Sequence, residues 1–316
     1  MDGSCKQKVV ALGGPTASGK TALGILLANT FKGEILSADS MQIYKDLNVG
    51  TAKPTPQEQA QAPHHLIDFL DPSQPFSVAD YVELAQKTIR EIAGRGAQPF
   101  VVGGTGLYLS SLLEGIQFSH KMADPALRKN LEEEMERLGP EAMYDRLKAL
   151  DPQAAAGIHP NNKVRVIRTL EICLSGGETA SRQKAQARPA QPPYNSLCLC
   201  LGFSDRQILY RRIEDRVDRM VEEGILEEAN QVYLHRQEYK TAAQAIGYKE
   251  FFPYFEGTAS LEEAVNQLKQ ATRNYAKRQL TWLRRIPGAV WLEADDPQCS
   301  NKALEITARF LEQSRE

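Results

Sequence analysis

Residues 14–21 read GPTASGKT and lie between the apolar run VVAL and the helix-like segment ALGILLANTF. This spacing matches the phosphate-binding loop G-x-x-x-x-G-K-S/T, in which a strand, a glycine-rich turn and a helix follow one another. In such a loop, backbone N–H groups and a helix N-terminus converge on an anion. The loop is predicted to bind phosphate through these eight residues: Gly14, Pro15, Thr16, Ala17, Ser18, Gly19, Lys20 and Thr21.

The composition is that of an ordinary globular protein of one large or two medium domains, with 316 residues of which 42% are hydrophobic. No stretch approaches the roughly 18 consecutive apolar residues of a membrane span, so we expect a cytoplasmic protein with no membrane partner. Five cysteines include no C-x-x-C pair, which favours reduced and mostly buried thiols.

Short apolar runs of strand length alternate with helical patterns along most of the chain. This alternation predicts an α/β fold, with a parallel sheet flanked by helices. The runs are KVVALGG, EILSAD, HLIDF, PFVVGG, SLCLCLGF and AVWLEA.

Between residues 115 and 195 these strand signals vanish. Apolar residues recur there at helical spacing, in one set at Leu127, Leu131, Met135 and Leu138, and in another at Val164, Ile167, Leu170 and Leu174. We therefore predict a catalytic core of residues 1–115 and 197–316, interrupted by an all-helical insertion of residues 116–196.

Three further helix starts are predicted from a serine followed three residues later by an acid or amide, the capping-box spacing. These starts are Ser77 with Asp80, Ser204 with Gln207, and Ser260 with Glu263.

The formal net charge is −2, but basic residues are segregated along the chain. Residues 264–286 contain six lysines or arginines and no acid, and residues 161–168 contain three more. A basic stripe of this kind is typical of either a polyanion-binding surface or a solvated helix face.

Asp39 follows the second predicted strand, in the segment ADSMQIY. It lies where a phosphate-loop enzyme places the acid that orders Mg²⁺. Asp39 and Gln42 together also match the hydrogen-bonding edge of an adenine. The alternative is a helix cap formed by Asp39 or Ser40.

Eight blocks occur in one order along residues 9–292: GPTASGKT, SADSMQIYKDLNVGTAKP, APHHLID, FSVADY, VVGGTGLYL, HPNNKVRVIRTLEI, AIGYKE and KRQLTWLRR. With them the chain resembles the bacterial tRNA dimethylallyltransferases, also called tRNA isopentenyltransferases. The resemblance implies a P-loop NTPase-like fold. It also implies transfer of a dimethylallyl group from dimethylallyl diphosphate to N6 of adenine 37, beside the anticodon, in tRNAs that read codons starting with U.

The resemblance also implies roles for individual residues. Asp39 would be the general base, Thr105 would lie near the reacting amine and the diphosphate, and Lys20 would stabilise the departing diphosphate. Thr21 would bind the cofactor Mg²⁺, and Arg216 or Arg212 would complete the diphosphate site, although the sequence does not separate these two arginines.

The family's tRNA-contacting segments correspond here to Asp39, Ser40, Met41, Gln42, Thr105, Arg128, Val164, Arg165, Val166, Ile167, Arg168, Gln244, Ala245, Ile246, Gly247, Tyr248, Lys249, Lys277, Arg278, Gln279, Leu280, Thr281, Trp282, Leu283 and Arg284. The basic stripe is then interpreted as a phosphate track. The usual acid of the HPND block is Asn162 here, and the usual alanine after Arg168 is Thr169. We assign structural roles to the adjacent His64 and His65, since adjacent side chains point in different directions.

The partners expected from the resemblance are tRNA and dimethylallyl diphosphate, and a monomer is expected. Three other functions stay open: an adenylate isopentenyltransferase, a small-molecule kinase or other ATP-using enzyme, and a non-catalytic RNA-binding protein. The helical insertion and the basic stripe favour the polymeric substrate. Whether ATP or ADP also binds the loop is open.

Overall fold

The computed structural model describes residues 6–118 and 124–313. Within these ranges, six parallel strands form a single sheet in the order β3-β2-β4-β1-β5-β6. Their bounds are β1 Lys8–Gly13, β2 Gly33–Ser37, β3 His64–His65, β4 Gln98–Gly103, β5 Asn195–Gly202 and β6 Val290–Glu293. The predicted α/β fold with a parallel sheet is confirmed, and each of the six apolar runs overlaps a strand.

The run HLIDF contributes only its first residue to β3, so this part of the strand prediction was too long. Leu66 and Asp68 have φ values of 58° and 56°, which lie in the left-handed region that strands do not use. The chain therefore leaves the sheet immediately after His65.

Contacts within the chain define two compact units. The first combines the residues before Glu114 with those after Pro192, and the second consists of Glu114–Pro192. The helices before the second unit are α1 Lys20–Thr30, α2 Pro56–Gln59, α3 Val78–Gly94 and α4 Gly106–Glu114. Those after it are α9 Arg206–Glu222, α10 Ile225–Leu234, α11 Phe252–Phe255, α12 Leu261–Leu283 and α13 Cys299–Glu312, with 3-10 turns at Ala242–Gln244 and Lys249–Phe251.

Two of the three predicted capping boxes are confirmed, at Ser77 with Asp80 and at Ser260 with Glu263. The prediction at Ser204 was wrong by one residue, because Asp205 is the cap of α9 and accepts from the N–H of Gln207. Ser204 instead hydrogen-bonds to the carboxylate of Asp295.

Parallel strands bring their carboxyl ends to one edge of the sheet, which is where ligands bind in open α/β folds. The phosphate loop follows β1, Asp39 follows β2 and Thr105 follows β4. These strands are neighbours in the sheet, so three distant segments meet at one edge. The central strands are almost fully buried, as expected for a parallel sheet covered on both faces.

The second unit contains α5 Pro125–Leu150, α6 Pro152–Ala155, α7 Lys163–Gly176 and α8 Ala180–Gln186. Helix α5 is broken at Gly139, which has a φ of 83° and directly precedes Pro140. The core of the second unit contains buried side chains of α5 and α7, together with Ala155: Leu131, Met135, Met143, Leu147, Ala155, Val166, Ile167 and Leu170.

The two apolar faces predicted in this unit are only partly correct. Leu138, Val164 and Leu174 are exposed, whereas Val166 is fully buried. Leu138 directly precedes the break at Gly139, and Val164 and Leu174 lie towards opposite ends of α7. The faces therefore continue only where the two helices pack together.

No helix in the described ranges has the length and apolarity needed to cross a membrane. The thiols of Cys198, Cys200 and Cys299 are buried and free, and Cys173 is half-buried and free.

Candidate active site

A cavity of about 340 Å³ lies at the carboxyl edge of the sheet in the first unit. The phosphate loop contributes Thr16, Lys20 and Thr21 to its wall, and α9 contributes Arg216. Other wall residues that belong to the predicted site are Asp39, Ser40, Met41, Gln42, Gln244, Ala245, Ile246, Gly247, Lys249, Arg278 and Gln279. Asp39 is the one acidic residue among the described residues that line the cavity.

The phosphate loop has an open helix N-terminus. Helix α1 is preceded by Gly19 in the left-handed region, with a φ of 85°, and no side chain caps its first N–H groups. Ala17 is also left-handed, with a φ of 61°, although it carries a side chain. The buried hydroxyl of Ser18 has no hydrogen-bond partner within the described residues. Uncapped N–H groups beside an unpartnered hydroxyl are suited to an anion.

Lys20 and Arg216 approach Asp39 from different elements. Nζ of Lys20 donates to the carbonyl oxygen of Pro15, 2.8 Å away. Burial and, to a smaller extent, the positive charge of Arg216 lower the pKa of Lys20, Asp39 opposes both, and the result is a pKa of about 8. Burial also lowers the pKa of Arg216, with Asp39 again opposing. The carboxylate of Asp39 therefore interacts electrostatically with both Lys20 and Arg216.

Arg212 is not brought to this cavity. Its guanidinium lies 5.2 Å from the ring centre of Phe203, and its side chain is exposed. Arg212 lies four residues, or about 6 Å along the helix axis, before Arg216. Of the two arginines that the sequence left open, only Arg216 lines the cavity.

Two of the four acids of α9 form ion pairs with basic residues of α12. Glu214 pairs with Arg273 at 2.6 Å, and Asp218 pairs with Lys269 at 2.6 Å. These two ion pairs, which we call the α9–α12 ladder, engage both acids with α12, and neither acid pairs with Arg216. Arg216 therefore keeps its charge available to the cavity.

Thr105 fixes the backbone beside Asp39. Its Oγ1 accepts from the N–H of Ser40 at 3.0 Å, and its own N–H donates to the carbonyl oxygen of Ala38. Oδ1 of Asp39 accepts from the N–H of Met41 at 2.9 Å in a turn, and no helix begins here, so the alternative of a helix cap at Asp39 or Ser40 is wrong. One oxygen of the carboxylate is thus used in holding the loop.

Tyr275 is a residue of this site that the sequence did not indicate. It lines the cavity, and its hydroxyl lies close to the side chains of Thr105 and Gln279. Burial raises the pKa of Tyr275, and the nearby Asp39 raises it further. Its place within the basic segment RNYAKRQ concealed it, because helical spacing alone does not show which face meets the sheet.

Gln279 is buried and joins two loops that meet at the sheet edge. Its Oε1 accepts from the N–H of Thr16, and its Nε2 donates to the carbonyl oxygen of Gly104. Any side chain on Gly104 would collide with this amide, and a Cβ on Gly106 would lie 2.6 Å from Cβ of Trp282. Gly104 and Gly106 are therefore needed where α12 approaches closely.

Gln42 also uses its amide inside the protein. Its Oε1 accepts from the hydroxyl of Ser37, and its Nε2 donates to the carbonyl oxygen of Ala52 at 3.0 Å. The spacing of Gln42 suggested that its amide reads an adenine, but in this structure the amide binds Ser37 and Ala52. Gln42 holds residues 48–54, which we call the strap, several of whose residues line the cavity.

Glu228 of α10 holds the strap from the other side and was missed from the sequence. Its carboxylate accepts from the N–H groups of Asn48, Val49 and Gly50 at 2.7 to 2.9 Å. It also accepts from the hydroxyl of Tyr248 at 2.8 Å. Three consecutive N–H donors form an anion-binding turn that distant sequence positions do not reveal.

Tyr248 itself is fully buried, so it contributes to the scaffold, although it lies in a predicted tRNA-contacting segment. A Cβ on Gly50 would lie 2.6 Å from its ring. Burial and the neighbouring Glu228 raise the pKa of Tyr248.

The second half of α12 carries the predicted tRNA-contacting residues in two environments. Lys277, Arg278, Thr281 and Arg284 are exposed, whereas Gln279 and Leu283 are buried, and Leu280 and Trp282 are half-buried. Within the described ranges, no carboxylate forms an ion pair with Lys277, Arg278 or Arg284.

In the second unit, the predicted residues lie on α5 and α7. Arg128 and Arg168 are partly exposed, with 45% and 56% of their side-chain surfaces accessible. Val164 and Arg165 are exposed, but Val166 and Ile167 belong to the core. Asn162 caps α7 by accepting from the N–H of Arg165. An asparagine can cap a helix as an acid does, but its side chain carries no negative charge.

The two adjacent histidines have separate partners. Nδ1 of His64 contacts the carbonyl oxygen of Ala62 at 2.7 Å, and Nε2 of His65 contacts the carboxylate of Glu34 at 2.6 Å. Hydrogen bonding from Arg95, with a smaller contribution from His65, lowers the pKa of Glu34 to about 2.

Comparison with family models gives two matches. The model described as IPP transferase matches residues 42–286, and the model described as isopentenyl transferase matches residues 7–68. The first match covers more than half of the chain.

Relatives agree over nearly the whole length. The tRNA dimethylallyltransferase of Halalkalibacterium halodurans is 45% identical over 95% of this chain and 96% of its own. That of Bacillus subtilis is 48% identical over 92% of each chain. The crystal structure of the tRNA isopentenylpyrophosphate transferase from Bacillus halodurans is 43% identical, with a TM-score of 0.72 over 98% of each chain. A eukaryotic dimethylallyltransferase acting on tRNA is 32% identical, with a TM-score of 0.84 over 97% of this chain and 80% of that one.

Proposed function

Because the chain belongs to the IPP transferase family, and its relatives of similar length are tRNA dimethylallyltransferases, we propose that it is a tRNA dimethylallyltransferase. It transfers a dimethylallyl group from dimethylallyl diphosphate to N6 of adenine 37, in tRNAs that read codons starting with U. Diphosphate is the second product. Neither free adenylate as acceptor nor phosphoryl transfer is favoured by these relatives.

One observation carries the proposal: the cavity joins the open phosphate loop to Asp39. Among the described lining residues, Lys20, Arg216, Lys249 and Arg278 are basic and only Asp39 is acidic. This excess of positive charge suits a diphosphate, and the lone carboxylate suits a group that loses a proton.

The leaving group is the first requirement of the reaction. The allylic C1–O bond breaks and its electron pair departs with the diphosphate, so negative charge grows on the diphosphate oxygens. Lys20, Arg216 and the first N–H groups of α1 are placed to stabilise that charge. Preorganised donors of this type contribute strongly because they need no reorganisation in the transition state.

The acceptor amine is the second requirement. As the bond from N6 to C1 forms, N6 gives one proton to the carboxylate of Asp39. An amine conjugated with a purine is a poor nucleophile, so a base within hydrogen-bond reach promotes attack. Thr105 and Tyr275 hold the backbone and the wall beside Asp39, so we assign them positioning roles.

Magnesium is expected with a diphosphate substrate, and the residues present fit it. Thr21 and Asp39 offer hydroxyl and carboxylate oxygens in one cavity, and Mg²⁺ commonly uses few protein ligands beside phosphate oxygens and water. When bound, Mg²⁺ would neutralise charge on the diphosphate. Thr21 is the residue that we propose to hold it.

We assign tRNA contacts to the cavity mouth, to the exposed residues of α12 and to the insertion of residues 116–196. Support comes from exposed basic side chains on α12, α5 and α7, where phosphate contacts position a polynucleotide. The target base must leave its stack to reach the cavity. We expect the active form to be a cytoplasmic monomer.

The test offers the purified protein Mg²⁺ and radiolabelled dimethylallyl diphosphate, with unmodified tRNA and AMP in parallel. We expect label in tRNA alone, and none in a tRNA whose adenine 37 is replaced by guanine. Label in AMP would overturn the choice of acceptor. Label in neither, with ATP hydrolysed in a parallel reaction, would overturn the reaction class.

A further inference from the structure

Glu171 of α7 is a buried acid in the core of the second unit, and the reaction does not use it. Only 2% of its side-chain surface is accessible. The core of this unit consists largely of apolar side chains of α5 and α7, among them Leu131, Ile167 and Leu170. A buried carboxylate is costly unless charges pair with it, and an apolar residue of similar size often serves stability as well or better. Stability alone is therefore a weak reason for an acid here.

Two arginines from different helices meet this carboxylate at one oxygen. Nη1 of Arg168 lies 3.0 Å from Oε2 of Glu171, and Nη1 of Arg128 lies 3.8 Å from the same atom. Oε1 is buried and has no hydrogen-bond partner among the described residues. The acid is thus turned towards the two arginines and gains no other hydrogen bond in the core.

Both arginines remain able to bind a ligand. About half of each side chain is exposed, and a guanidinium has five N–H donors, of which the contact with Glu171 uses only one or two. Arg128 also contacts Glu132, but that surface pair within one helix is weak. Fixing a guanidinium before binding reduces the entropy lost when it meets a phosphate.

We propose that Glu171 is a positioning residue that holds Arg168 and Arg128 together as a phosphate-binding pair for tRNA. This inference rests on the proposed function, because it takes tRNA as the ligand of the second unit. Glu171 would have two opposite effects on tRNA binding. It would favour binding by orienting the two arginines, and it would oppose binding because its own negative charge repels phosphate.

Because these two effects are opposite, the direction in which tRNA affinity changes tests the proposal. Glu171→Gln removes a negative charge near the tRNA, so a purely electrostatic role predicts tighter binding. A positioning role predicts weaker binding, by about threefold to tenfold, since two phosphate contacts lose their alignment. The dependence of log Kd on log salt should also flatten, by about one to two phosphate contacts.

The measurement is filter binding of unmodified tRNA at several salt concentrations, with steady-state kinetics on the same preparations. We expect a raised KM for tRNA, with kcat at saturation and KM for dimethylallyl diphosphate unchanged. The matched control is Glu133→Gln on α5, which removes the same charge from an acid that pairs with Lys129. Its tRNA affinity should stay the same or rise.

Unchanged or tighter tRNA binding by Glu171→Gln, with an unchanged salt slope, would overturn the proposal. If Glu171→Gln does not fold, judged by its thermal melt, the variants Arg128→Gln and Arg168→Gln replace it. Each should weaken binding and flatten the slope, and wild-type behaviour of both would equally overturn the pair. Failure of the wild-type protein to label any tRNA would instead refute the proposed function.

Discussion

In the cavity, four basic side chains share one carboxylate, whereas in the α9–α12 ladder each basic side chain has a carboxylate of its own. Both regions use arginine and lysine side chains. The two regions differ in the number of carboxylates that face the basic side chains. Charges with a dedicated partner contribute to packing, and charges without one are available to a ligand.

Helix α12 contains both conditions within one basic stripe. Lys269 and Arg273 belong to the ladder, while Lys277 and Arg284 are exposed and have no ion pair among the described residues. We therefore restrict the prediction of a phosphate track to the second half of the stripe. The comparison teaches that a run of basic residues gains its role from the elements that pack against it.

Removing the one acid of the cavity should have the largest effect. Asp39→Ala is expected to lower kcat by about 10² to 10⁴, because the proton of N6 loses its acceptor. The affinity for tRNA should change little. Single-turnover transfer and filter binding check this, and an unchanged kcat would exclude Asp39 from the chemistry.

Exchanging one arginine of the cavity should have the next largest effect. Arg216→Gln is expected to lower kcat/KM for dimethylallyl diphosphate by about 10² or more, since a charge facing the leaving group is lost. Arg212→Gln is the matched control, one turn away on the same helix and stacked on Phe203. Steady-state kinetics should leave Arg212→Gln close to wild type, and equal losses in both variants would contradict the placement of Arg216 alone.

The lowered pKa of Lys20 should appear as a pH dependence. Lys20 carries its charge below its pKa of about 8 and loses the charge above it, so kcat/KM for dimethylallyl diphosphate should fall as pH rises through 8. This parameter reports on the free enzyme. Measurement on both sides of pH 8 should find that fall, and Lys20→Arg should remove it, because arginine stays protonated. The same fall in both proteins would assign it to another group.

The smallest effect should separate the two halves of α12. Lys277→Gln is expected to weaken tRNA binding and to reduce the salt slope by about one phosphate contact. Lys269→Gln, eight residues earlier, should leave the salt slope unchanged and lower the melting temperature slightly, because it breaks the pair with Asp218. Salt titrations of both variants check this. Equal slopes in the two variants would remove the distinction drawn along α12.

Much of the fold could be predicted because its signals are local. The phosphate loop and the helix caps at Ser77 and Ser260 depend on residues within a few positions of one another. Apolar runs of strand length also indicated the parallel sheet correctly. The exceptions, such as the cap at Asp205, depend on a distant residue, since Asp295 holds Ser204.

The site was predictable to the level of segments but not of side chains. Gln42 and Gln279 lie in the expected segments, yet both amides bind the protein's own backbone. Glu228, Glu171 and Tyr275 gave no signal, because each acts on residues far away in the sequence. An acid on a helix has the same spacing whether it faces water, a turn or an arginine.

The sequence by itself determined that a phosphate loop, a parallel sheet and the blocks of one family occur in this chain. Only the tertiary structure decided that Arg216 and not Arg212 lines the cavity. It also decided that Glu214 meets Arg273, 59 positions later, and so leaves Arg216 without that acid. The physical reason is that backbone geometry is set by neighbours in the chain, whereas the availability of a charge is set by neighbours in space.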